Sequence, residues 1–138
     1  MKTQSLAVLL LAAPAVAEEQ SFPATEQGLI EFMTPSQNIG CVFVPEGGTA
    51  VYVPRDGGPE LACDRVEPGY VSVVLGPEGP PIVIEEPGEA PCCSGPVLDY
   101  GNSWSEGPFT CTSAHTGLTC TREDGPGFSM ARAKIEVF

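Results

Sequence analysis

Positive charge is scarce in this chain. Six Lys and Arg residues stand against eighteen Asp and Glu among 138, a net charge of −12 at pH 7. That balance excludes the counterion-releasing contacts on which nucleic-acid binding depends, and it disfavours anionic lipid. Histidine occurs once, as His115. A Ser-His-Asp site needs a histidine held in a cleft by an orienting partner, whereas His115 falls at the tip of an expected hairpin, so general-base catalysis by histidine has no carrier. With one His and every Cys expected to be oxidised, zinc and a cysteine nucleophile lack their ligands as well. No Asp-x-Asp-x-Asp-Gly spacing marks a calcium loop. No catalytic residue, metal site or cofactor is therefore expected. Helical periodicity is missing, no linker is long enough to divide the chain, and nothing reads as an internal repeat.

What is present begins with an export signal. Lys2 supplies the positive end, Leu6 to Ala13 an uncharged apolar run, and Ala15-Val16-Ala17 the small residues that a signal peptidase reads, with Glu18 and Glu19 directly after. The apolar run is shorter than the roughly 20 residues that span a bilayer, and no cysteine lies near the cleavage point to carry a lipid. Residues 1–17 are thus expected to be a signal peptide. Residues 18–138 are expected to form a single all-β, disulfide-rich domain, exported to the periplasm or outside the cell with no stable membrane anchor. Cleavage leaves Arg55, Arg65, Arg122, Arg132 and Lys134 as the basic residues. A domain of this size buries only about two thirds of its unfolded surface, which makes covalent staples important.

Short β-type runs recur between Gly and Pro punctuation. They are Leu29 to Met33, Ile39 to Val44, Ala50 to Val53, Tyr70 to Leu75, Ile82 to Glu85, Phe109 to Ser113, Leu118 to Arg122 and Arg132 to Phe138. The fold class that follows is a small antiparallel sandwich or barrel. In the last run, Ala133, Ile135 and Val137 would face the core while Arg132, Lys134 and Glu136 face water. The Pro-, Gly- and Glu-dense stretch Pro77 to Ser94 reads as a mobile loop region.

Six cysteines supply the staples. Folding the segment Phe109 to Arg122 about His115 and Thr116 sets Cys111 opposite Cys120, at a separation that a disulfide accepts. Closing that loop contributes roughly 2.5–3 kcal/mol in the chain-entropy model. Cys41, Cys63, Cys92 and Cys93 allow three pairings. Neighbours such as Cys92 and Cys93 have Cα atoms about 3.8 Å apart in a trans peptide, below the usual disulfide minimum. Adjacent cysteines more often reach two different partners. The sharper alternative is a strained Cys92–Cys93 bond acting as a redox switch.

The segment Phe32-Met33-Thr34-Pro35-Ser36-Gln37-Asn38-Ile39-Gly40-Cys41, with Tyr100-Gly101-Asn102-Ser103-Trp104, Phe109-Thr110-Cys111, Gly117-Leu118-Thr119-Cys120 and Gly125-Pro126-Gly127-Phe128-Ser129-Met130-Ala131-Arg132, resembles a family of secreted bacterial proteins of unknown function found in actinobacteria and proteobacteria. The likeness spans nearly the whole mature chain, and its Asn-Ile-Gly-Cys and Gly-x-Gly-Phe-x-x-x-Arg elements carry it. It implies export and three disulfides and transfers no catalytic residue. Relatives carry a cysteine soon after Asn-Ile-Gly-Cys, whereas Val42 to Glu60 has none here. The extra member of the Cys92-Cys93 pair looks like its replacement, which favours a bond from Cys41 to that pair.

Binding is the activity left open. Tyr100 and Trp104 flank a turn, where an exposed pair could stack on a sugar or anchor an interface; the packing alternative puts the sole Trp in the core. Phe128 and Arg132 offer a similar choice between recognition and packing. Asp56, Glu60, Asp64 and Glu67, or Glu85, Glu86 and Glu89, could supply a glycosidase-like pair, although so small a domain rarely holds a deep sugar cleft. The expectation is a non-enzymatic binding or structural module that meets a cationic protein, for instance a host-defence protein such as lysozyme. The alternative is a small redox or hydrolytic enzyme using Cys92 and Cys93 or the acidic loops.

Overall fold

The computed structural model describes residues 3–8, 17–88 and 92–138. Most of the expected signal peptide's apolar run, and Glu89, lie outside them. Among the described residues there are ten strands and no helix. They are β1 (Ile30–Met33), β2 (Ile39–Val44), β3 (Glu60–Arg65), β4 (Val71–Leu75), β5 (Ile82–Glu85), β6 (Ser103–Glu106), β7 (Phe109–Ala114), β8 (Gly117–Arg122), β9 (Gly127–Met130) and β10 (Ile135–Val137). The first five pair in chain order as one antiparallel meander and the last five as another. Two open sheets face each other, so the molecule is a sandwich and not a barrel.

Alternation explains which side of each strand is buried. Phe109, Cys111 and Ser113 of β7 point inward, as do Leu61, Cys63 and Arg65 of β3, while their neighbours face out. The sheets are joined by aromatic rings. Trp104 from the second sheet lies 4.8 Å from Phe32 and 6.0 Å from Phe43 of the first, and Phe43 meets Phe109 edge-on at 6.1 Å. Such pairs contribute about 0.5–1.5 kcal/mol each beyond their burial.

Three expected features change. The β3, β6 and β9 strands did not stand out in the sequence, because their short runs mix polar with apolar residues. Ala50 to Val53 is a loop, since Thr49 Oγ1 accepts from the amides of Val51 and Tyr52 and curls the chain there. The C-terminal strand is confined to β10, because Ala131 N donates to Lys134 O and closes a turn before it. The expected Ile82 to Glu85 strand forms as β5, within the Pro77 to Ser94 stretch that otherwise reads as loop.

The two sheets repeat one unit, although the sequence reads as free of internal repeats. Across the first sheet, Phe32, Cys41, Cys63, Val73 and Val83 stand in one row. Across the second, the matching row is Trp104, Cys111, Cys120, Phe128 and Val137. The third strands carry Leu61-Ala62-Cys63-Asp64-Arg65 and Leu118-Thr119-Cys120-Thr121-Arg122. Both arginines are buried, and each donates to the backbone just past the fourth strand of the opposite sheet. Arg65 Nη1 reaches Ala131 O at 3.2 Å, and Arg122 Nη1 reaches Gly76 O at 2.8 Å. Even the leading arms are exchanged. Residues 18–20 run parallel to β6, with Gln20 N donating to Ser103 O, while residues 96–98 run parallel to β1, with Met33 N donating to Pro96 O. Repetition was illegible in the sequence because few identities survive, and because the equivalences are between facing sheets.

Candidate functional site

The hairpin register of the second sheet brings Cys111 opposite Cys120, and they are bonded with Cα atoms 4.1 Å apart. The turn centres on His115 and Thr116, with Ala114 opposite Gly117. Gly117 has φ +135°, and a Cβ there would strike the Met130 carbonyl oxygen, so this position takes glycine for lack of space as well as for its backbone.

Cys41 does not bond to the Cys92-Cys93 pair. It is bonded to Cys63, directly opposite on β3, with the same 4.1 Å Cα separation. The reason is the unrecognised β3 strand, which makes Cys41 and Cys63 cross-strand neighbours facing the core. Cys92 and Cys93 lie on the other side of that sheet and are bonded to each other. Cys41 points inward, so Gly40 beside it opens outward, and a Cβ at Gly40 would sit 2.8 Å from Cys93 Cβ. The sulfurs of Cys41, Cys63 and Cys120 cluster within 4.8 Å of one another in the core. They are spent in disulfides and offer no thiolate to a metal.

The expected Tyr100–Trp104 patch is split. Trp104 is 1% exposed and belongs to the core, whereas Tyr100 is exposed and stacks on His115 with ring centroids 3.8 Å apart. Phe128 is fully buried. Exposed Arg132 joins Tyr100, His115, Thr34, Ser36 and Asn38 around a hollow of about 170 Å³ at one end of the sandwich. His115 is thus a surface stacking residue beside an arginine. Among these groups Thr34 Oγ1 is already engaged with Ser36 Oγ at 3.0 Å.

Carboxylates dominate the opposite end. In an antiparallel meander every second connection returns to the same end, so the β2–β3, β4–β5, β6–β7 and β8–β9 connections meet there. Glu123 N donates to Pro108 O and so ties the β8–β9 connection to the β6–β7 connection, Arg122 Nη1 ties β8 to the start of the β4–β5 connection through Gly76 O, and Gly47 N donates to Gly57 O within the long β2–β3 connection. They bring Glu46, Asp56, Glu78, Glu106, Glu123 and Asp124 to one exposed pole, with Arg55 the only exposed cation among them. Asp56 and Glu78 border an open hollow of about 670 Å³. Beneath it, buried Arg122 holds Asp124 through Nε at 2.5 Å and Nη2 at 2.9 Å. That hydrogen bond keeps the Asp124 carboxyl below its ordinary range. The other end carries Arg132 and Lys134, the latter paired with Glu136.

Of the remaining sequence candidates, Glu67, Glu85 and Glu86 are exposed and apart from Glu60 and Asp64, which are separately engaged. Glu60 accepts from Tyr52 OH at 3.0 Å. Asp64 accepts from Tyr70 OH at 3.0 Å and from Ser72 Oγ. Burial, helped by the Asp64 charge and hydrogen bond, pushes the Tyr70 phenol up to about 12. Sequence reasoning missed both the pole, whose members are scattered along the chain, and the seat that Gly40 provides. Among the described residues no helix is long and apolar enough to cross a membrane. Comparison with protein-family models, curated proteins and solved structures finds no match to this chain.

Proposed function

We propose that the protein is an exported, non-enzymatic binding module, working in the periplasm or outside the cell, whose acidic pole docks a cationic protein. The observation that carries this reading is the convergence of six exposed carboxylates at the end of a stapled sandwich where four connections meet. A rigid scaffold presents these charges without an ordering cost on binding, and a field of one sign speeds encounter with an oppositely charged surface. Disulfides fit an oxidising compartment, where such a scaffold is kept closed.

Lysozyme serves as the cationic probe. Its affinity, measured by calorimetry, is expected to fall about tenfold or more between low and moderate salt, because exposed charges are screened within a Debye length. Reversal at the pole (Glu46→Lys, Asp56→Lys and Glu78→Lys together) is expected to abolish binding. Reversal of the same number of charges elsewhere (Glu19→Lys, Glu26→Lys and Glu67→Lys) should leave most of it. Binding indifferent to salt, or weakened equally by both sets, would contradict the pole as the docking surface.

A further inference from the structure

The three disulfides differ in what can reach them. Cys41, Cys63, Cys111 and Cys120 are at most 2% exposed, locked between the sheets. Cys92 and Cys93 are half-buried on the outer face of the first sheet, where they border a hollow of about 60 Å³ with Glu31, Gly40, Asp64 and Ser94. Thiol–disulfide exchange requires a thiolate to approach a sulfur, so access separates one bond from the other two.

The seat looks built for this pair. Position 40 corresponds in the second repeat to Thr110, an ordinary outward residue on its strand. Here the side chain is given up: a Cβ at Gly40 would lie 3.0 Å from each of the two sulfurs. The pair joins no two strands and closes the smallest possible loop, so its contribution as a staple is slight. A chemical role accounts for what a stapling role does not.

We propose that Cys92–Cys93 is a thiol–disulfide exchange site, selective for cationic thiols over anionic ones. The selectivity follows from Glu31 and Asp64 beside it; the Asp64 side chain is held in place by Tyr70 and Ser72, and its carbonyl oxygen lies 3.8 Å from Cys92 Sγ. An incoming thiolate that carries a second negative charge is repelled, whereas an ammonium-bearing thiol is drawn in. In the first step the thiolate sulfur bonds to one cysteine sulfur, and the Cys92–Cys93 bond breaks. The other cysteine leaves as a thiolate and takes a proton. A second thiolate then attacks the mixed disulfide, releasing the oxidised reagent and the second cysteine as a thiolate that is protonated in turn. Two electrons and two protons pass from two thiols to the pair.

The test exposes the full chain to cysteamine or to 3-mercaptopropionate, traps free thiols by alkylation, and locates them by peptide mass spectrometry. Rates are compared per thiolate. Trp104 fluorescence monitors the core throughout. Alkylation is expected at Cys92 and Cys93 while the Trp104 emission stays native. Cysteamine should be about tenfold faster at low ionic strength, with the gap closing in high salt. Glu31→Gln should accelerate mercaptopropionate more than cysteamine. Labelling of any core cysteine at a similar rate, an unpaired or unreactive Cys92 and Cys93, or equal rates for the two reagents would overturn the proposal.

Discussion

Ser113 occupies the place that Phe43 holds in the first repeat, two residues beyond the strand's cysteine and facing the core. Its fully buried hydroxyl has no hydrogen-bond partner among the described residues. An unsatisfied buried hydroxyl carries a desolvation penalty, so Ser113→Ala is expected to stabilise the protein by about 1 kcal/mol in a urea titration; a loss of stability would mean that the hydroxyl is satisfied. Tyr70 gives a second test at this scale. Its phenol should ionise near pH 12, above the ordinary value of 10.0, and Asp64→Asn should bring the ultraviolet titration midpoint down. Because the folded state holds this proton more tightly, the associated stability is complete below pH 10 and is lost as pH rises toward 12.

At the scale of elements, β7 and β8 were legible because turn, alternation and cysteines all lie within one short segment. The β2–β3 hairpin is the same device with a longer connection, and it escaped notice because Glu60, Asp64 and Arg65 make β3 look polar. Arg65 is tolerated facing inward since it donates to Gly69, Ala131 and Arg132 carbonyls. Without β3 in place, nothing in the sequence sets Cys41 opposite Cys63. Conversely, Val51, Tyr52 and Val53 have β propensity, yet with Thr49 Oγ1 accepting from the amides of Val51 and Tyr52 the three form a loop and remain exposed. The two core staples should therefore be energetically alike. Removing either (Cys41→Ala with Cys63→Ala, or Cys111→Ala with Cys120→Ala) is expected to cost about 3 kcal/mol by the chain-entropy model. Cys92→Ser with Cys93→Ser should cost about 1 kcal/mol or less. Chemical denaturation of the three double variants checks this, and a surface pair that costs as much as a core one would refute the distinction.

Over the whole molecule, two meanders with exchanged arms and reciprocal arginine clamps face each other, and four of their connections gather carboxylates at one end. The acidic pole could not be seen in the sequence because its carboxylates are separated by whole strands; it appears only when alternate turns are stacked. Both the pole and the accessible Cys92–Cys93 pair depend on the register that puts Cys41 against Cys63 and Cys111 against Cys120, with the third pair outside. The most direct measurement is disulfide mapping of the non-reduced protein by mass spectrometry after cleavage at glutamate and arginine. The fold predicts a Cys41–Cys63 crosslink between two peptides, a peptide carrying Cys111 and Cys120 that is oxidised within itself, and a peptide carrying Cys92 and Cys93 that is likewise oxidised within itself. A crosslink from Cys92 or Cys93 to any of the four core cysteines would contradict it.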